Sequence, residues 1–355
     1  MKTNTGISLL RIWMCFEVIT SHFFYDDRIW GGSLYPLALF IDRFRYVHVG
    51  IFMVLAFYFT DMSAAWKGGT RAKKRFARLL VPYLFWAVVY FVIFWIGDRI
   101  KKGEPYEHGF TDLVWQILFG HSINETLWFH WDLLAITFLF FLMFRLLKKE
   151  TAVWAAVLLG AGCVVLQYTG VHAHLFDSVT WPPTVLGGYF RPSYVTVPLG
   201  RFFEMLPYAA AGVLLYHIRI FEKIQKISVI ACLLGGAGAY LLAFVVPIAR
   251  PEGYGYQGLW AFALALCTIV FAYFLPMDLF AEKVTGRINA IAPYTMGVYF
   301  AHRLIDVFLD KFRIYALLRT GAGTLAQSAL LFLVTYLCVW LLAKAPVRIV
   351  RDSCR

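Results

Sequence analysis

Three ionisable side chains stand within one short apolar stretch, LLRIWMCFEVITSHFF: Arg11, Glu17 and His22. An ionisable group inside a bilayer helix costs about 2.5–3.5 kcal/mol on insertion scales, so each is a functional candidate by default. Arg11 and His22 are eleven residues apart. In an α-helix, eleven steps of about 100° end about 20° past three full turns, about 16 Å along the axis. Both side chains then share one face. Glu17 lies well off that stripe. Asp26, four residues past His22, returns to it if the helix runs that far. His22 is the acid/base candidate, because free imidazole titrates at about 6.5, and Asp26 would fix its tautomer. A plainer reading has Arg11 and His22 snorkelling to the two membrane interfaces. Spacing alone leaves both open.

A second cluster is the segment from Trp66 to Arg78, WKGGTRAKKRFAR, expected as a loop. Arginine forks match phosphate oxygens, so Arg71, Lys74, Arg75 and Arg78 make a candidate phosphate clamp. The same charges also serve as a topology determinant touching anionic lipid. It is not a P-loop, since Gly69 is followed by Thr70-Arg71 and not by Lys-Ser/Thr. His48, with Arg43 and Arg45, opens another apolar run and is placed to line the outer mouth. Tyr299 and His302, at i and i+3, would face a cavity from one helix. Arg201 and Glu204 have the same spacing and read as an ion pair rather than a catalytic dyad. His172, His174 and Asp177 lack a third ligand set, so no metal site is expected. Of the six cysteines, five lie inside apolar runs and none forms a CxxC pair. They read as small buried hydrophobes.

These residues need elements to hold them, and composition says which kind. The chain has 355 residues, 61% hydrophobic and only 15% charged. A soluble domain is about 45–50% apolar and about 25% charged. A soluble globule, a disordered chain and a fibrous repeat are therefore excluded. The fold expected is all-α, a polytopic membrane bundle. A crossing takes about 20 helical residues. Ten runs reach roughly that length: 7–25, 36–60, 79–97, 127–146, 151–169, 203–220, 227–248, 257–276, 289–309 and 325–345. The shorter run 110–120 reads as interfacial. Lys148, Lys149 and Glu150 alone join the fourth and fifth runs, which makes a tight hairpin. With the N-terminus inside, the inner segments hold the larger share of Lys and Arg, which favours both termini in the cytoplasm. The net charge of +12 then sets orientation, and nucleic-acid binding is not expected. The longest outer loop, 170–202, is broken by Trp181-Pro182-Pro183 and Gly187-Gly188. No cleavable signal peptide, internal repeat or soluble appendage is expected. Residues 1–355 read as one membrane domain.

Five segments together resemble the acyltransferase family 3 proteins, polytopic enzymes acting on bacterial surface glycans. Arg11 and His22 match that family's Arg-(ten residues)-His motif in the first helix. VHVGIFMVLAFYFT is similar to the second-helix signature, with Ala56-Phe57 where the family usually has Ser-Gly. KKRFARLLVPYLFW fits the basic stretch entering the third helix, with Arg75, Arg78 and Pro82 in place. LWFHWDLL at 127–134 resembles the Leu-Trp-Phe segment. APYTMGVYFAH at 292–302 resembles the late Ser…Tyr…His segment, with Thr295 in place of Ser.

The resemblance implies a membrane O-acyltransferase of about ten helices in the bacterial inner membrane. It implies transfer of an acyl group, often acetyl, from cytoplasmic acyl-CoA to a hydroxyl of a cell-surface or lipid-linked saccharide. His22 would be catalytic with Arg11 as its essential partner, and Arg71, Lys74, Arg75 and Arg78 would handle the acyl-CoA. The partners are then acyl-CoA, a saccharide or glycolipid acceptor and membrane lipid, with no metal. Two other readings stay open. One is a secondary transporter or glycan exporter with Arg11, Glu17 and His22 as a relay, although no repeated half or pair of broken helices marks alternating access. The other is a catalytically dead membrane scaffold.

Overall fold

The structure, a computed structural model, describes residues 4–22, 44, 47–62, 70–100, 110–120, 125–176, 193–245, 259–312, 314 and 323–354. Among these residues every regular element is helical and no strand occurs. In chain order the helices are α1 (Thr5–Ser21), α2 (His48–Tyr58), α3 (Thr70–Ile100), α4 (Phe110–Phe119), α5 (Trp128–Leu146), α6 (Lys149–Tyr168), α7 (Val171–Phe176), α8 (Ser193–Ile218), α9 (Ile220–Lys223), α10 (Ser228–Tyr240), α11 (Leu259–Phe274), α12 (Glu282–Ile291), α13 (Thr295–Lys311), α14 (Gly323–Leu342) and α15 (Arg348–Ser353). Among the described residues, five stretches are long and apolar enough to cross a bilayer: Thr70–Gly97, Trp128–Leu146, Lys149–Tyr168, Gln225–Phe244 and Leu325–Leu342. Their outward faces carry exposed Phe138, Leu158, Leu233 and Leu341. Such faces suit lipid and would aggregate in water.

Several boundaries differ from the sequence reading: the expected outer loop 170–202 holds α7 and the first turns of α8, and two further differences position the site. The basic stretch is not a loop: residues 70–78 are the first turns of α3. Alanine, lysine and arginine are good helix formers, and no glycine or proline interrupts them between Thr70 and Val81. The run 289–309 is not one helix. A 3-10 turn at Ala292–Tyr294 separates α12 from α13, because Pro293 has no N–H to give an α-helical ladder.

The chain divides into two compact units, one of residues 1–52, 219–346 and 354–355, the other of 53–218 and 347–353. In the first, α1 packs on α11, α12, α13 and α14. Its start is fixed by Asn4. The Asn4 side chain accepts from the Ile7 N–H at 3.0 Å and donates to the Tyr273 carbonyl at 2.8 Å. Gly6 lets α1 approach the α11 backbone at Ala272, where no side chain fits. On the other side, Asn289 of α12 donates to Thr5 Oγ1 at 3.0 Å. In lipid, where apolar burial gains little, close approach through small residues is what holds helices together. Gly297 does the same for α13: a Cβ there would meet Val339 Cγ1 and the Cys354 carbonyl at 2.6 Å.

In the second unit, α6 and α8 pack closely along their length. Gly160 sits where a Cβ would be 2.9 Å from Ala210. Helix α5 runs antiparallel to α3, with Phe76 against Phe138 and Phe141, and Tyr83 stacked on His130. Helix α15 lies along α3, where the Trp86 indole donates to the Ser353 carbonyl at 3.1 Å.

Candidate functional site

Helices α1 and α13 of the first unit bring four of the sequence-singled residues together. Arg11, half-buried on α1, donates through Nη2 to Thr295 Oγ1 at 3.2 Å. Thr295 is the first residue of α13, and its own hydroxyl donates to the Ala292 carbonyl at 2.9 Å. One turn along α1, the Cys15 thiol donates to the Thr295 carbonyl at 3.4 Å. The break at Pro293 is what leaves this end of α13 open to Arg11.

At the other end of α1, His22 follows the last helical residue, its N–H bonded to the Ile19 carbonyl at 3.2 Å. Its ring centroid lies 5.1 Å from that of His302 on α13, with the planes tilted by 31°. Arg11 meets Thr295 and His22 meets His302, so α1 and α13 run in the same direction with both motif residues on one seam. His302 is completely buried. Its Nδ1 lies 2.6 Å from the Tyr299 carbonyl. A carbonyl only accepts, so Nδ1 carries the proton and Nε2 presents a lone pair. That Nε2 has no hydrogen-bond partner. The Tyr299 ring, buried one turn earlier, stands 6.0 Å from the His302 ring. Arg303 lies within electrostatic reach of both histidines, and Asp306 pairs with it at 2.6 Å.

His48 opens α2 and is buried at 3% exposure. Asp26, the expected orienting carboxylate, lies outside the described residues, as do Arg43, Arg45 and Asp177. Among the described residues there is no group of three or more His, Cys, Asp or Glu suited to a metal ion.

The basic stretch belongs to the second unit, and its members divide. Arg71, Lys74 and Arg78 are exposed along the first turns of α3. Arg75 turns inward. Its Nη1 donates to Thr60 Oγ1 at 2.6 Å, its Nη2 reaches the Ala56 carbonyl at 3.4 Å, and its guanidinium lies over Phe57, 5.7 Å from the ring centroid. The Ala56-Phe57 departure from the family's Ser-Gly therefore falls on two of the three residues that hold Arg75. The first turn of α3 has no acidic residue. Cations at a helix N-terminus oppose the macrodipole. The arrangement is costly for a bare helix and favourable once an anion sits there.

Thr295 and Arg303 are site residues that motif reading did not assign. Thr295 was visible only as a substitution within a motif, and Arg303 only as one more helical cation.

All-helical structure among the described residues, with several bilayer-length apolar helices, marks a multi-pass membrane protein. A family model described as an acyltransferase domain matches residues 4–344. The chain belongs to that family, the acyltransferase family 3 that its motifs resemble. The match runs through both units. No curated protein and no solved structure matches the chain.

Proposed function

We propose that this membrane acyltransferase moves an acyl group, acetyl in the simplest case, from cytoplasmic acyl-CoA to a hydroxyl of a cell-surface or lipid-linked saccharide. In this reading residues 1–355 form one transferase domain of about ten spans, with both termini in the cytoplasm, in a bacterial inner membrane. The observation that carries it is the His22–His302 pair, with Arg11 seated on the same helix, α13.

The chemistry follows from the groups present. His22 takes the proton from the acceptor hydroxyl as its oxygen bonds to the thioester carbonyl carbon. The C–S bond breaks, and the thiolate recovers the proton from His22. Arg11 uses one of its five N–H groups on Thr295 and keeps the others for the negative charge that builds on the carbonyl oxygen. His302 and Tyr299 line the acceptor side with His48, and Asp26 steadies His22. Arg71, Lys74 and Arg78 hold the CoA phosphates at the start of α3, with Arg75 bracing that turn.

The test uses membranes from cells expressing the chain, incubated with radiolabelled acetyl-CoA and then with longer acyl-CoAs. Label should enter the envelope glycan fraction with wild type. His22→Ala should remove it by about 10²–10⁴-fold, the usual worth of a positioned acid/base group, while the protein stays inserted at normal level. An equally active His22→Ala, or no transfer from any acyl-CoA, overturns the reading.

A further inference from the structure

The second unit holds a buried polar group that the transfer steps above leave unused. Asp132, on the second turn of α5, is completely buried, and neither of its carboxylate oxygens accepts a hydrogen bond. A buried carboxylate without donors is costly, and proteins rarely keep one without a use. Arg201 and Glu204, both on α8, lie within electrostatic reach of it. The Arg201 guanidinium rests on the Trp128 ring, 4.8 Å from the centroid, which fixes its plane. Its buried Nη1 donates to no acceptor. The helix–helix seam here is walled by Trp131 against Phe202, with centroids 6.3 Å apart. Trp131 is itself tied to the Leu118 carbonyl at 2.7 Å.

A buried acceptor without a donor thus lies near a buried donor without an acceptor, and the two do not join. What completes both must donate to Asp132 and accept from Arg201 at once. An ammonium only donates and a carboxylate only accepts, whereas a hydroxyl does both. We propose that Asp132 and Arg201 form a hydroxyl-binding site for a polyhydroxylated ligand, held rigid by the Arg201–Trp128 stack. Its identification with the acceptor saccharide rests on the function proposed above; the hydroxyl chemistry does not. A water molecule offers the same two hydrogen bonds, so the experiment must separate a polyol from a water.

The full chain is reconstituted in nanodiscs free of glycoside detergent. Methyl glucoside, methyl galactoside, methyl mannoside and methyl N-acetylglucosaminide are titrated by calorimetry against wild type, Asp132→Asn and Arg201→Gln, with glycerol as the acyclic control. At least one pyranoside should bind saturably, with Kd raised tenfold or more in both variants. Asparagine matches aspartate in shape, and a melting curve confirms that each variant is folded. If Arg201→Gln fails to fold, Arg201→Lys replaces it, since lysine keeps the charge but loses the planar fork. Absence of saturable binding to folded wild type overturns the proposal. So does unchanged binding in Asp132→Asn, which assigns the position to water. Acetyl-CoA is titrated into the same samples. Pyranoside binding without acyl-CoA binding removes the transferase reading and leaves this site standing; the reverse removes this site alone.

Discussion

Two arginines from the sequence motifs, Arg11 and Arg75, sit in opposite situations in their respective units. The outer fork of Arg75 is met by its own protein: a hydroxyl, a carbonyl and an aromatic face take it up, and only the buried Nε is left without an acceptor. Arg11 makes one hydrogen bond, to Thr295, on a seam that ends in a histidine whose Nε2 meets nothing. The difference teaches where to look for chemistry in a bundle rich in costly side chains. A charge whose outer fork is taken up internally is a strut. Groups that keep outward donors or lone pairs free, held in place by neighbours, are candidate tools. By that criterion the transfer proposed above belongs on the α1–α13 seam, and the inward residue at the start of α3 is proposed as scaffolding for the exposed cations around it.

The sharpest way to break this contrast is at His302. If its bare Nε2 works with His22, His302→Ala should lower acyl transfer by about 10²–10⁴-fold. The His22/His302 double variant should be scarcely worse than either alone, because residues that act as a unit are not additive. Independent, multiplying losses in transfer assays would mean the two rings do separate jobs. His302→Gln with near-normal rate would show that only the ring's volume matters.

The α3 cations come next. Arg71→Ala/Arg78→Ala should raise the acyl-CoA Kd by about tenfold, in a salt-dependent way, and leave the melting temperature unchanged. Arg75→Lys should do the reverse. It loses the two-pronged contact to Thr60 and Ala56, costing stability of about 2 kcal/mol, with acyl-CoA affinity little altered. Calorimetry and thermal melts on the same three proteins decide it. Arg75→Lys losing affinity at full stability would move Arg75 from strut to ligand.

How much of this was legible in sequence depends on the range of the interaction. The all-helical membrane fold was written in composition and run length, because the bilayer imposes both. The shared face of Arg11 and His22 was readable from helical periodicity, a local property. That the face meets α13 was not, since nothing in spacing links His22 to His302 or Arg11 to Thr295, more than 270 residues away. The resemblance named both segments without saying that they touch. The start of α3 was misplaced because charge density was taken as a loop signal, although Lys, Arg and Ala favour helix. The split between exposed Arg78 and inward Arg75 was hidden too. It depends on Thr60 and Phe57, which belong to another element.

The smallest expected effect tests the Arg11 half of the comparison. Thr295 stands where the family usually has serine, and its side chain bonds through the hydroxyl alone: it accepts from Arg11 and donates to the Ala292 carbonyl. Thr295→Ser keeps both bonds, and transfer should stay within about twofold of wild type. Thr295→Val is matched in shape but removes the acceptor. Arg11 then loses its one tether, and kcat should fall by about three- to tenfold, the worth of roughly 1 kcal/mol. The loss should appear in kcat rather than in the KM for acyl-CoA, because a tether that only aims the guanidinium matters most when charge develops on the carbonyl. A valine variant as fast as the serine variant would mean that Arg11 is aimed by something other than α13. The seam would then be defined by the histidine pair alone.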